Sequence, residues 1–542
     1  MNRHKYRLFM KSLDSPKQIQ EERLLQILEA NAQTQYGQKY NFDKIGSIAD
    51  YQEQVPLTTY EDYQPYIDQI AAGQDGILTT ESVSMLELSS GTTSPSKYIP
   101  YTKSLKEEFQ WGIAPWIYDL YTNKNLLDGK SYWSITPVNH SEEKTEGGIP
   151  IGFEEDSEYF GFIQRLILNK IFLVPNQVSK IKDIITFRYI TLLFLLKEKR
   201  LTFISVWNPT FLILLLKPLR DWHTDLIGDL KRGKITPPSK LDSNLKKVLE
   251  KRLGQNKNRA RELEEIFLED GSSIYSKIWP NLKVISCWTD AKAGRYLPQL
   301  QTLFPNVDIQ GKGLLATEGF ITLPLADQLG SVLASRSHFF EFIEYSNGKM
   351  GQIRLASQLE VGKTYSVVIT TGGGFYRYQL QDLVKVIGFT KDTPRLIFVG
   401  KEAKVSDYFG EKLNENFVEI VLSDIFEEYG INPVFYMMAP EVNSKGQYFY
   451  TLFLEYDASL IDKKMISRME DELEERLCSN YHYAYCRRLD QLKPSRIFNI
   501  KAEGLETYLE TCRQSGQKLG DIKPVTLHTK TGWKDKFQGQ LI

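Results

Sequence analysis

Leu88-Ser89-Ser90-Gly91-Thr92-Thr93-Ser94-Pro95-Ser96-Lys97 is the stretch from which the chain is best read. An apolar run, Met85 to Leu88, enters it, and a loop of small hydroxyl residues follows, ending in a lysine. Glycine at 91 lets backbone approach an anion and turn its N–H groups inward. The hydroxyls add donors and Lys97 adds a compact positive charge. The second glycine and Lys-Ser/Thr ending of a Walker A loop are missing, so this is a different phosphate cradle, set against the plain alternative of a polar turn between two elements.

Composition frames that reading. The chain has 542 residues, 42% hydrophobic and 25% charged, enough for one large domain and a smaller one with sizeable cores. A net charge of −1 gives no electrostatic case for nucleic acid or an anionic membrane. The four cysteines (287, 478, 486, 512) form no CxxC pair, and the six histidines form no metal-binding set. Reduced thiols and a soluble cytoplasmic protein are expected. The start, Met1 to Arg7, carries no secretory pattern, and the most apolar runs, Tyr189–Leu196 and Phe211–Leu216, are too short to span a bilayer.

Along the chain, Ser15 to Gln35 has helical apolar spacing, and Thr58 or Thr59 stands as N-cap to Tyr60-Glu61-Asp62-Tyr63. Ile77 to Leu88 is expected to be strand-rich, and Ser104 to Tyr121 helical. A helix and the strand Leu201–Val206 then alternate, as in an α/β layer, followed by the strand Leu282–Trp288. Further strands are expected at Phe339–Ile343, Val367–Thr371 and Pro394–Lys401. Asp382 is expected to close the element after Gly372-Gly373-Gly374, and Glu411-Lys412-Leu413 to start a helix. The predicted architecture is α/β: residues 1–400 form a large domain of β-sheets flanked by helices, and 401–542 a small mobile α+β domain hinged near Lys401 to Lys404. Trp111, Trp116, Trp207 and Trp288 are candidates to line an acyl pocket, against the ordinary alternative of core aromatics.

Three motifs follow in order: the loop at 89–97, Gly313-Leu314-Leu315-Ala316-Thr317-Glu318-Gly319, and Tyr376-Arg377-Tyr378-Gln379-Leu380-Gln381-Asp382. This order resembles the core motifs of adenylate-forming enzymes, and more closely the GH3 family of acyl-acid amido synthetases. The resemblance also covers Thr34 to Tyr40, Val55 to Tyr63, Ile99-Pro100-Tyr101-Thr102 and Phe339 to Ile343. It implies a large N-terminal adenylate-forming domain and a mobile C-terminal one. It implies that Ser89, Ser90, Gly91, Thr92, Thr93 and Lys97 hold phosphate, that Thr317, Glu318 and Gly319 frame adenine, and that Glu318 helps place Mg²⁺. Asp382 matches the ribose-binding aspartate, with Tyr378 in the same nucleotide motif. Lys412 and Lys523 both match family lysines and compete for the transition-state role. Two positions depart from the family pattern: Gln379 replaces an arginine and Gln381 a glycine. The departures from the plant pattern point to a bacterial relative.

Activating a carboxylate with ATP needs a phosphate loop, a carboxylate near Mg²⁺, a ribose-binding acid and a lysine at the α-phosphate. It needs no protein nucleophile, because the substrate acid attacks phosphorus. The resemblance implies an ATP- and Mg²⁺-dependent ligase joining an acyl acid to an amine, an amino acid first among them. Two alternatives stay open: a thioester ligase acting on CoA or a carrier protein, and a non-catalytic nucleotide- or acyl-binding module. The expected partners are small molecules, with no nucleic acid or membrane; the oligomeric state is open, and a monomer is compatible with the sequence.

Overall fold

The structure, a computed structural model, describes residues 2–89, 97–134, 144–152, 173–269, 274–346, 349–402, 405–456, 463–515, 517 and 522–542. The chain divides into two compact units, Met1–Val399 and Gly400–Ile542. Among the described residues no helix is long and apolar enough to cross a membrane.

Unit 1 is built on four β arrangements. The strands β1 (Met85–Ser89) and β2 (Lys97–Tyr101) form an antiparallel hairpin in which Ser89 pairs with Lys97. Residues 90–96, with Ser90, Gly91, Thr92 and Thr93, lie outside the described residues. The strands β3 (Lys130–Trp133), β4 (Leu201–Ser205), β5 (Val284–Cys287) and β6 (Asp308–Gly311) make a four-stranded parallel sheet in the order β3-β4-β5-β6. Its inner strands, Leu-Thr-Phe-Ile-Ser and Val-Ile-Ser-Cys, are buried along their whole length, which is why they read as continuous runs rather than alternating ones. The helix Ile184–Lys197 lies between β3 and β4 in the chain and buries most of its circumference, as a crossover helix inside an α/β layer does.

The hairpin of β7 (Leu315–Ala316) and β8 (Gly319–Phe320) follows. Next come β9 (Thr322–Pro324), β10 (Ser331–Leu333), β11 (Phe339–Ser346), β12 (Lys349–Leu355), β13 (Thr364–Thr370), β14 (Tyr378–Thr390) and β15 (Thr393–Lys401). These seven form one sheet, ordered β12-β11-β13-β14-β15-β10-β9. The helices Pro16–Asn31 and Tyr60–Ala71 contribute Leu24, Ile27, Leu28, Tyr63 and Ile67 to the same hydrophobic core as Phe339, Tyr376 and Tyr378 of that region. The second of these helices starts at Thr59, whose N–H donates to Asp62 Oδ2 (2.8 Å), half of a capping box.

Unit 2 carries a short hairpin of β16 (Val405–Ser406) and β17 (Leu413–Asn414), then a mixed sheet of β18 (Phe435–Val442), β19 (Tyr448–Glu455), β20 (Leu492–Ile500) and β21 (Gly539–Leu541). The helices Glu415–Glu428 and Lys463–Leu477 join Met438, Leu452 and Ile497 in its core.

Three local expectations are corrected. Residues 77–84 are turns and coil, not strand; the hydroxyl and acidic residues there bond to neighbouring backbone, as Thr79 does to Glu81 O (2.8 Å). Asp382 does not close an element but lies inside β14, at a bulge where the register of β13 against β14 shifts between Ser366 and Val368. The helix expected at Glu411 begins at Glu415, capped by Asn414, because Glu411 is spent inside the preceding loop.

Candidate functional site

The Thr317-Glu318 turn is the tip of the β7–β8 hairpin, and the surrounding residues fix it from several sides. Tyr101 Oη donates to Thr317 O (2.7 Å). Behind Gly319 stands His338, so close that a Cβ at 319 would lie 2.9 Å from Nε2. The Phe320 N–H donates to His338 Nε2 (2.9 Å), which places the ring proton on Nδ1, donated to Glu108 Oε2 (2.7 Å). Glu108 Oε1 accepts from Gly372 N (2.7 Å) and pairs with Arg23. A buried acid–histidine relay thus ties the Glu318 turn to the Gly372–Gly374 reversal. No local sequence pattern announces it, since Glu108 and His338 are 230 residues apart.

The aspartate motif is held with equal care. Tyr63 Oη accepts from Tyr376 N (2.7 Å) and sits 2.8 Å from Tyr376 O. Gln379 N donates to Thr58 O (2.9 Å), and Thr58 N to Arg377 O (3.0 Å). Arg377 is a structural residue: buried, it forks onto Glu341 (3.0 Å twice) and caps Gln52 O (2.9 Å) and Val55 O (2.6 Å). Tyr378 stacks on Phe375 at 4.5 Å between ring centroids. Gln381, where the pattern favours glycine, has φ +60 and is exposed, so its side chain meets the left-handed penalty but no clash. The bulge leaves Asp382 buried at 4% exposure.

Of the predicted nucleotide residues, Lys97, Glu318 and Asp382 bear on two tyrosines, Tyr60 and Tyr378. Lys97 Nζ stands 5.1 Å from the ring centre of Tyr60, and the Tyr60 hydroxyl exchanges hydrogen bonds with the Tyr98 backbone. Burial, helped by the negative charges of Asp68 and Glu318, pushes the Tyr60 phenol up to about 12. Burial does the same to Tyr378, with Glu318, Glu61 and Asp382 adding to it. The charges of Glu318 and Asp382, 64 residues apart in the chain, thus both bear on Tyr378, and Lys97 stands against the Tyr60 ring. Among the described residues no cluster of three acidic, histidine or cysteine groups could hold a metal by itself. A single near-buried carboxylate, Glu318, fits a Mg²⁺ that takes its remaining ligands from substrate phosphates and water.

The two lysines belong to unit 2. Lys412 is exposed, at φ +42, directly after Glu411. Glu411 is fully buried and accepts from Tyr408 N (2.9 Å), Phe409 N (2.8 Å) and Tyr450 Oη (2.7 Å), which fixes the loop that presents Lys412. Lys523 is also exposed, and its carbonyl accepts from Tyr508 Oη (3.0 Å).

Three of the four tryptophans come together, joined by one that sequence reasoning missed. Trp207 and Trp288 lie 5.7 Å apart between ring centroids, and Trp116 meets Trp133 at 6.1 Å. Trp111 is corrected out of this group. Five residues before Trp116 on the helix Lys103–Asn123, it points about 140° away, and it packs against Lys5 (4.8 Å) and Arg336 (4.9 Å). The larger omission is Lys312. Its Nζ lies 5.1, 5.2 and 5.7 Å from the ring centres of Trp207, Trp116 and Trp133, and donates to Ser205 Oγ (2.7 Å). Gly311-Lys312-Gly313 was the available signal: a Cβ at 311 would meet Thr289 Oγ1 at 2.6 Å, and Gly313 has φ +71.

Comparison with known proteins places this geometry. The fold is that of an acyl acid amido synthetase solved in complex with 2,4-DB, with a TM-score of 0.82 at 21% identity over 98% of this chain and 94% of that one. Residues 5–309 match the GH3 family N-terminal domain, 331–401 the GH3 family central domain and 417–531 the GH3 family C-terminal domain; the chain belongs to the GH3 family. An indole-3-acetic acid-amido synthetase of Arabidopsis thaliana is 24% identical over 86% of this chain and 90% of its own. A 4-substituted benzoates-glutamate ligase of the same plant is 22% identical over 94% and 87%.

Proposed function

We propose that the chain is an ATP-dependent ligase that adenylates a carboxylic acid and passes the acyl group to an amine, an amino acid by analogy with its relatives. The observation that carries this is the match to all three GH3 domains over most of the chain, which supports roles in one nucleotide site for Glu318, Tyr378 and Asp382, together with Lys97 against Tyr60. In this reading, the acid's carboxylate attacks the α-phosphorus of ATP and pyrophosphate leaves; the neutral amine then attacks the acyl carbon and AMP leaves. Lys97 and the loop from Ser89 neutralise the phosphates, Asp382 accepts from the ribose hydroxyls, and the Thr317–Gly319 turn lies along the adenine. Glu318 would hold Mg²⁺, which supplies charge neutralisation at the phosphates when bound.

Negative charge crowds where carboxylate and α-phosphate meet, and the candidates for the cation that offsets it are Lys412 and Lys523. The rigid loop under Lys412 supports the first choice. Residues 1–400 would bind ATP and acid, and 401–542 would reorient between the half-reactions.

The test is acid-dependent ATP–pyrophosphate exchange over aromatic and medium-chain acids, repeated on Asp382→Ala, Lys412→Ala and Lys523→Ala. Exchange lost in Asp382→Ala by 100-fold or more is expected. Product analysis with amino acids against CoA then decides the acceptor. ATP binding without exchange for any acid would refute the ligase reading.

A further inference from the structure

At the carboxyl edge of the parallel sheet, the register sets Trp133, Ser205, Ser286 and Gln310 in one row across β3, β4, β5 and β6. Paired residues in adjacent strands share a face, so these four side chains line the same side. Trp116 comes down on that side and donates from Nε1 to Gln310 Oε1 (3.1 Å). Lys312 leaves β6 one residue past its end and turns back into this row. Its amine reaches Ser205 Oγ at 2.7 Å and Ser286 Oγ at 3.4 Å, under the faces of Trp116, Trp133 and Trp207. Lys312 is 5% exposed, whereas Trp133, Trp207 and Trp288 are only half-buried. The amine therefore lies at the base of an aromatic cluster whose outer members, Trp133, Trp207 and Trp288, reach the surface. Carboxyl ends of parallel strands are where open α/β sheets take their ligands.

As an internal device, this arrangement makes little sense. A buried lysine is normally paired with a carboxylate, but among the described residues the polar groups on Lys312 are two neutral hydroxyls. Desolvation drives its amine down to about 7, so near neutrality it exists both as ammonium and as amine. Methionine would fill the same volume without that cost. Three indole faces favour a cation and also offer flat walls to a planar body. The serines and the glycines at 311 and 313 hold the amine in one place.

We infer that Lys312, with Ser205 and Ser286, is the far-end anchor of the acyl pocket and selects an aryl acid bearing an oxygen acceptor remote from its reacting carboxylate. The planar body lies between Trp116, Trp133 and Trp207, and its hydroxyl, carbonyl or second carboxylate oxygen accepts from the Lys312 amine. This rests on the ligase reading for the identity of the reacting carboxylate. The cluster itself is independent of ATP.

The experiment uses pairs of benzoic, cinnamic and 2-naphthoic acids that differ only in a far-end hydroxyl against a methyl group. Each pair is measured by ATP–pyrophosphate exchange and, without ATP, by quenching of tryptophan fluorescence. The full-length protein is compared with Lys312→Met and Lys312→Arg, and circular dichroism checks the fold. The expected result is a preference of at least tenfold for the hydroxyl member of one pair, in kcat/KM and in Kd. Lys312→Met should abolish or reverse that preference, and Lys312→Arg should keep it. Exchange that proceeds in wild type without discrimination, or with discrimination that survives Lys312→Met, overturns the anchor and leaves the ligase reading standing. Lys312-dependent quenching without any exchange supports the anchor and counts against the ligase reading. Absence of discrimination in both assays overturns the anchor outright.

Discussion

Replacing Arg377 by methionine should cost unit 1 about as much stability as a single substitution can. The guanidinium makes four hydrogen bonds in a buried position: two to Glu341, at 3.0 Å each, and one each to Gln52 O and Val55 O. Removing it leaves Glu341 with only the Gln52 amide donor at 2.8 Å, a charge that is 1% exposed. Breaking a buried pair from one side costs about 3–5 kcal/mol. Two carbonyls that lose their donor add roughly 1–3 kcal/mol more. The sum is of the order of a domain's whole stability of about 5–15 kcal/mol. Removing both charges in Arg377→Met with Glu341→Leu should cost less than Arg377→Met alone, with a coupling energy of about 2 kcal/mol or more. Urea unfolding followed by tryptophan fluorescence reads this in unit 1, which holds seven of the eight tryptophans. If the two substitutions prove additive within about 0.5 kcal/mol, the pair is not the lock described here, and the motif arginine needs another role.

Other outcomes follow from the same geometry. Gln381→Gly relieves a left-handed residue worth about 1–2 kcal/mol, less the roughly 0.5–1 kcal/mol that glycine loses through the unfolded chain. The unfolding midpoint of unit 1 should therefore rise slightly; a fall would show that the exposed side chain makes a contact that matters. His338→Leu leaves Phe320 N and Glu108 without their partner and should cost about 3 kcal/mol in the same melts. Lys312 gives a pH signature. Its folded value of about 7 lies below the ordinary 10.5, so between those values the unfolded chain binds a proton that the folded one does not. Stability must rise with pH across that window, by about 1.4 kcal/mol per pH unit, and its cost is greatest below pH 7. The neighbouring Cys287 thiol, which burial lifts to about 12, stays neutral throughout. Comparing urea midpoints at pH 7.5 and 9.5, wild type should gain on Lys312→Met; equal pH dependence would place the lysine in water.

What the sequence disclosed depended on whether partners were close in the chain. The hydroxyl-rich stretch at 89–97 and the Thr317–Gly319 and Tyr376–Asp382 motifs each lie within ten residues, and so can be recognised as motifs, and the strands β4, β5 and β11 announce themselves as apolar runs. Lys312 is the opposite case. Its two serines, on β4 and β5, precede it by 107 and 26 residues, and alone it reads as a turn lysine. Arg377 looked like part of a nucleotide motif, because nothing near it announces Glu341 or the carbonyls at 52 and 55. Trp111 and Trp116 looked alike on paper; five residues on a helix send them to different surroundings.

The clasp between the N-terminal helices and the aspartate motif also sets an order of events during synthesis. Thr58, Tyr63, Gln52 and Val55 have their partners at Tyr376 to Gln379, more than 310 residues later, and Gln20 has its at Ser335 to Phe340. On a ribosome moving at about 5–20 residues per second, the early helices wait on the order of 15–60 s for the strands that complete them. During that interval the groups that bond to residues 335–379 lack their native partners, while the early elements pack on one another, as Tyr36 does on Tyr63. The surroundings of Tyr378 are thus assembled last, from the first and the final thirds of unit 1, and a nascent chain halted before β14 holds Lys312 with its tryptophans and serines but neither Tyr378 nor Asp382.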